Sequence, residues 1–154
     1  MYGQLGDHPV SFSLDLTDCR ALVTGGTKGI GAAVVEVLRD AGAKVIATAR
    51  SVRTDAIAGV YYIASDLATA EGCAAVAETV QQQLGGIDIL VDVVGGSSAL
   101  GGGLAALDDA KWWKELNRNL MPAVRLSRAP AGDDRAGFWR DYARHFDPAR
   151  ATAS

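Results

Sequence analysis

The sequence is poor in cysteine, has no excess of basic residues and contains no long apolar run, and each shortage excludes something. Its 154 residues include two cysteines, Cys19 and Cys73, far apart and outside any CxxC or Cys/His cluster. Neither a disulfide framework nor a structural zinc site is indicated, and a reducing, cytoplasmic setting is expected. Lys and Arg number 15 against 18 Asp and Glu, a formal charge of -3. Such a chain offers no basic field to a nucleic-acid backbone, so nucleic acid is not an expected partner. No apolar run approaches the roughly 18 to 20 residues that span a bilayer, and no membrane partner is expected. Residues 1–16 carry Asp7, Pro9 and Asp15 and no apolar stretch behind basic residues, so they do not form a secretory signal pattern. With 49% hydrophobic and 21% charged residues, the composition is that of a globular protein, in a length that suits one domain.

Glycine is what the sequence has in quantity. Its 18 copies gather at Gly25, Gly26, Gly29 and Gly31, and again at Gly95, Gly96, Gly101, Gly102 and Gly103. Clusters of this kind mark backbone tasks that side chains would obstruct.

The segment from Arg20 to Thr24 is a short apolar run that stops at the first cluster. Ile30, Val34, Val37, Leu38 and Ala41 then recur at helical spacing, and Gly42 is expected to cap that helix. Lys44 to Ala49 predicts a second, buried strand, and Val60 to Ile63 a third. A helix follows from about Glu71 to Leu84, ended by Gly85 and Gly86, and then a fourth strand from Ile87 to Val91. Asp108 or Asp109 should cap a last helix running from about Ala110 to Ala129, kinked at Pro122. Strands alternating with helices predict an α/β parallel sheet with ligands at the carboxyl ends of its strands. From Pro130 the pattern stops, and residues 130–154 are expected to form an irregular or disordered tail.

The informative element is Thr24-Gly-Gly-Thr-Lys-Gly-Ile-Gly31, between a buried strand and a helix. Small residues there let the backbone approach a pyrophosphate, and the positive end of the helix attracts its charge. A tight turn without a ligand is the competing reading. A P-loop is excluded because no Gly-Lys-Ser/Thr closes the motif.

This TGxxxGxG motif resembles that of the short-chain dehydrogenase/reductase family, and the similarity extends from about Leu14 to Ala129. The resemblance implies a Rossmann-like doubly wound sheet, incomplete here, with strand order 3-2-1-4. Residues 17–129 would form the NAD(P)-binding domain, after an N-terminal extension over 1–16. It implies cofactor contacts from Gly25, Thr27, Lys28, Gly29, Ile30 and Gly31. Asp66 and Leu67 stand where the family places an acidic residue against the adenine, although a helix-starting Asp would read the same. Gly95 and Gly96 fall where the family usually has Asn-Asn-Ala-Gly, and Asp92, Val93 and Val94 depart from that pattern. These departures put the usual polar brace between strands in question. Asn119 is similar to the family's helix asparagine, which holds a water beside a catalytic lysine; a polar residue on a helix face is the alternative.

Cofactor choice follows from charge. The second strand ends at Arg50, where an acid would bind the ribose 2'-hydroxyl of NAD and repel a 2'-phosphate. Arg50, with Lys28 and Arg53, favours NADP(H) over NAD(H). A merely solvated arginine is the competing reading.

The family's Tyr-x-x-x-Lys pair and its upstream serine are not found. The tyrosines are Tyr2, Tyr61, Tyr62 and Tyr142, the last lysine is Lys114, and Phe146 stands four residues after Tyr142. Tyr142, Arg144 and His145 make a poor substitute site. Permitted codons for Asp133 to Pro148, read one nucleotide later, can spell a segment similar to the family's fifth strand and serine. A frameshift near Pro130, leaving a truncated enzyme, is accordingly expected.

Three functions follow. The first is NADP(H)-dependent hydride transfer between nicotinamide and a small carbonyl or alcohol, in a family that forms homo-oligomers. The second is a catalytically inactive NADP(H)-binding fragment, and the third an interaction fragment using the helix of Trp112 and Trp113.

Overall fold

Side-chain alternation in two central strands decides which helix covers which face of the sheet. The computed structural model describes residues 14–51, 57–98, 101 and 106–129. Strand β1 (Arg20–Thr24) turns Ala21 and Val23 to one face and Leu22 to the other. Helix α1 (Gly29–Asp40) lays Val35 and Leu38 on the Ala21 face. Strand β2 (Lys44–Ala49) adds Val45 and Ala47 to that side and Ile46 to the opposite one. Strand β3 (Tyr61–Ala64) precedes helix α2 (Ala70–Leu84), whose Cys73, Val76, Ala77 and Val80 close over Leu22 and Ile46. After strand β4 (Ile89–Asp92) come helices α3 (Asp109–Asn119) and α4 (Met121–Arg128), and Leu126 of α4 completes this second core. Covering both faces is what an all-parallel sheet requires, and it explains the nearly unbroken apolar runs of β1 and β2.

The strands lie in the order β3-β2-β1-β4, every pair parallel, with Leu22 opposite Ile46 on one side and Leu90 on the other. This is the expected doubly wound α/β architecture with order 3-2-1-4. At the amino edge, Arg20 clasps Asp88 through two side-chain bonds of 2.8 Å, and its amide donates to the same carboxylate. The Asp88 amide returns a bond to the Arg20 carbonyl, so β4 enters the ladder in a fixed register.

Several expectations need correction. The buried stripe of α1 is Gly31, Val35 and Leu38, while Ile30 and Val37 are 75% and 60% exposed. Spacing alone fits either stripe, and the Gly31 contact described below selects the one that faces the sheet. The helix ends at Asp40 with Ala41 as its C-cap, and Gly42 is the left-handed residue after the cap, at φ +95°. The single kinked helix expected after residue 110 is two helices meeting at Leu120, with Pro122 in the first turn of α4, where its missing N–H is harmless. Asp108 is the α3 cap, accepting from the Lys111 amide at 2.9 Å. Strand β3 starts one residue late because the Val60 amide turns back to Ile57. Strand β4 starts two residues late because Ile87 is buried below the ladder and Asp88 serves the clasp.

The Leu16 amide bonds to the Ala41 carbonyl at 2.7 Å, anchoring the chain ahead of β1. Arg53, Gly102, Gly103, residues 1–13 and the expected tail over 130–154, with Tyr142, Arg144 and His145, lie outside the described residues. Among the described residues no helix is long and apolar enough to cross a membrane.

Candidate nucleotide-binding site

In a parallel sheet the segments leaving the carboxyl ends of the strands converge along one edge. Here they bound two adjoining hollows of about 420 and 520 Å³ that share Gly25, Arg50 and Gly95. The first is completed by Asp66, Leu67 and Gly96, the second by Thr27 and Lys28. The structure thus brings eight of the expected site residues to one cleft. Gly29, Ile30, Gly31 and Asn119 do not line it.

Gly29, Ile30 and Gly31 form the first turn of α1 behind the loop. Gly25 has φ +71°, and a Cβ there would stand 3.1 Å from the Val94 amide. A Cβ on Gly31 would collide with the Gly25 carbonyl oxygen. The two glycines therefore let the loop after β1 fold flat onto the start of α1. Lys28 caps α1 with its backbone alone, and no acidic residue occupies the first turn. The first amides of a helix have no partner within it, so this end presents donors and a positive dipole without a competing carboxylate. This end of α1, with open space beside Gly29, fits the pyrophosphate of a dinucleotide.

The loop after β4 is held by two devices. Thr24, fully buried at the end of β1, accepts the amides of Val93 and Val94 at 3.1 and 3.2 Å and donates to Asp92 Oδ1 at 3.2 Å. A polar brace between strands therefore exists, with Asp92 as its acceptor. Burial pushes the Asp92 carboxyl above the ordinary range, against the opposing pull of the Thr24 hydroxyl. Asn119, near the end of α3, accepts the Gly96 amide and donates to the Gly96 carbonyl, both at 2.9 Å. Its Nδ2 also reaches the Glu115 carbonyl at 2.9 Å. The side chain is thereby engaged in fixing the Gly95–Gly96 wall.

Asp66 Oδ1 accepts the Ala68 amide at 3.1 Å, and the α2 cap is Thr69, whose hydroxyl takes the Gly72 amide at 3.0 Å. Asp66 thus stands in the turn before the helix, on the cleft wall. Sequence reasoning missed Thr48 and Arg118, which also line the cleft. Thr48 hides in an apolar strand pattern, and Arg118 lies 52 positions beyond Asp66 with no local motif. A separate hollow of about 550 Å³ lies between α2 and α4 around Cys73, Ala77 and Arg125, remote from the glycine motifs. Among the described residues no cluster of His, Cys, Asp and Glu could hold a metal ion.

The profile of the family described as short chain dehydrogenase matches residues 20–133. The chain belongs to the short-chain dehydrogenase family. It is 36% identical over 115 residues to the 3-oxoacyl-[acyl-carrier-protein] reductase FabG of Vibrio harveyi, covering 71% of this chain and 46% of that protein. Among solved structures it resembles the L-sorbose reductase of Gluconobacter frateurii complexed with NADPH and L-sorbose. That likeness has 32% identity and a TM-score of 0.67, over 77% of this chain and 48% of that one. It also resembles the NADH-dependent reductase A1-R', with 26% identity and a TM-score of 0.67, over 75% and 50% of the two chains. The chain spans about half the length of the short-chain dehydrogenases it matches.

Proposed function

We propose that this chain binds NADP(H) in the cleft at the carboxyl edge of the sheet, as the dinucleotide-binding portion of a short-chain oxidoreductase. The observation that carries the reading is the Gly25–Gly31 contact, which seats the loop against the uncapped start of α1. Lys28 and Arg50 both line the hollow beside that loop, and among the described residues no acidic one lines it with them. A guanidinium pairs well with a 2'-phosphate, which supports NADP(H) over NAD(H). Asp66 and Leu67 bound the end of the cleft assigned to the adenine, and Gly95 and Gly96 the side assigned to the nicotinamide ribose.

When bound, the nicotinamide supplies or accepts the hydride exchanged with a carbonyl or alcohol carbon. That exchange needs a group to move the hydroxyl proton, and the sequence contains no Tyr-x-x-x-Lys pair to do so. Tyr61 and Tyr62 stand on β3, and neither lines the cleft. These residues are accordingly assigned cofactor binding without turnover.

The test is NADPH fluorescence with and without a panel of aldehydes and ketones. Binding without oxidation of NADPH is expected. Turnover would overturn the binding-only reading, and absence of binding would overturn the site.

A further inference from the structure

Two segments that line the hollow of Asp66 and Gly96, far apart in sequence, are tied to consecutive residues of α3. Asn119 holds both backbone groups of Gly96, and Arg118 lines the hollow itself. Asn117 reaches the segment of Asp66 through Arg125 of α4. Its Nδ2 donates to the Trp113 carbonyl at 3.0 Å, which leaves Oδ1 to accept Arg125 Nη2 at 2.9 Å. Arg125 Nη1 then donates to the Ala68 carbonyl at 3.0 Å, and Ala68 lines the hollow beside Asp66 and Leu67.

Inside α2 the Cys73 amide takes the Thr69 carbonyl at 3.3 Å, so the Ala68 carbonyl stands one residue ahead of the helical bonds. The amide of the same residue is the one that Asp66 Oδ1 accepts, at 3.1 Å. Asp66 and Arg125 thus hold the two backbone polar groups of Ala68, and a shift of that residue moves the carboxylate bonded to it. From the α2 side the turn is seated by Gly72, where a Cβ would collide with the Asp66 carbonyl oxygen. A guanidinium suits this bridge because its donors lie in one plane at fixed spacing and serve two acceptors at once.

We propose that Arg125, braced by Asn117, is a positioning residue for nucleotide recognition, fixing Ala68 so that the Asp66 carboxylate meets the base of the bound nucleotide. This rests on the reading of the cleft as a dinucleotide site. Arg125 lines neither of the two hollows, so it acts through the wall and not by touching the ligand.

The test measures the affinity of NADPH, AMP and adenosine for the unaltered chain, Arg125→Met and Arg125→Lys, and repeats AMP with Arg125→Met in an Asp66→Ala background. Arg125→Met should weaken all three ligands alike, uncharged adenosine included, by about 3- to 10-fold, the span of one neutral hydrogen bond. Arg125→Lys, which keeps a donor for the Ala68 carbonyl, should recover most of that loss. With Asp66→Ala, replacing Arg125 should change AMP by less than about twofold, because the carboxylate it positions is gone. Unchanged affinity in Arg125→Met, or a lysine variant no better than the methionine one, would overturn the proposal. So would a loss for AMP and NADPH but not adenosine, the mark of a missing charge acting on phosphate, and so would a full loss that persists without Asp66. If Arg125→Met does not fold, Asn117→Leu, which removes the acceptor bracing the guanidinium, takes its place with the same expectations. An unaltered chain that binds none of the three ligands refutes the dinucleotide site itself, whereas normal binding that ignores Arg125 refutes only its positioning role.

Discussion

Thr24 and Asp92, 68 positions apart, meet through a 3.2 Å hydrogen bond that joins the ends of β1 and β4. The same hydroxyl takes the amides of Val93 and Val94, so one buried side chain sets the path of the loop toward Gly95 and Gly96. Thr24→Val keeps the shape and removes all three bonds. It should lower unfolding stability by about 1–3 kcal/mol, the range for leaving partly buried groups unsatisfied, as read from the urea midpoint.

Asp92 makes the brace sensitive to pH. Its carboxyl is raised mainly by burial, so the folded state favours the protonated form. The stability this contributes is complete below the ordinary carboxylate range and is lost as pH rises through the raised value. Asp92→Asn retains an acceptor for Thr24 and carries no charge. It should be the more stable protein at pH 7, by less than about 1 kcal/mol because the residue is partly exposed. The difference should shrink as pH falls, and denaturant melts across the acid range would show it.

Gly31→Ala would place a methyl group against the Gly25 carbonyl, a backbone atom that cannot swing aside. Separating α1 from the loop should destabilise the fold by about 1–3 kcal/mol and weaken NADPH binding. Gly29→Ala meets no atom within 4 Å and strains only its own φ of +55°, so it should cost less, about 1 kcal/mol. Thermal melts of the two variants, side by side, check the order.

Arg50 is exposed at the end of β2 and touches both hollows of the cleft. Arg50→Ala should weaken NADPH by about tenfold through loss of a charge-assisted pair, and leave NADH within about twofold. Parallel fluorescence titrations of the variant with both nucleotides would reveal whether the loss is confined to the phosphorylated one.

The architecture was legible where local chemistry sufficed. β1 and β2 are apolar runs bounded by glycine and charge, and their observed limits are those expected from the sequence. The glycine motif was legible because its spacing encodes one close approach, between Gly31 and Gly25. The Thr24 brace was not, because a threonine ending a strand carries no sign of an acceptor 68 positions away. The stripe of α1 was misread for a related reason. Ile30 and Val37 are as apolar as Val35 and Leu38, and only the packing of Gly31 onto the loop decides which side turns inward. Asn119 was expected to hold a water beside a catalytic lysine, and its engagement with both backbone groups of Gly96 required the fold.

The most direct measurement is a fluorescence titration of the purified chain with NADPH and, separately, with NADH. The account predicts saturable binding of both at one site, with NADPH held about tenfold more tightly through Lys28 and Arg50. Equal or tighter binding of NADH would contradict the assignment to NADP(H), and failure of both nucleotides to bind would contradict the site.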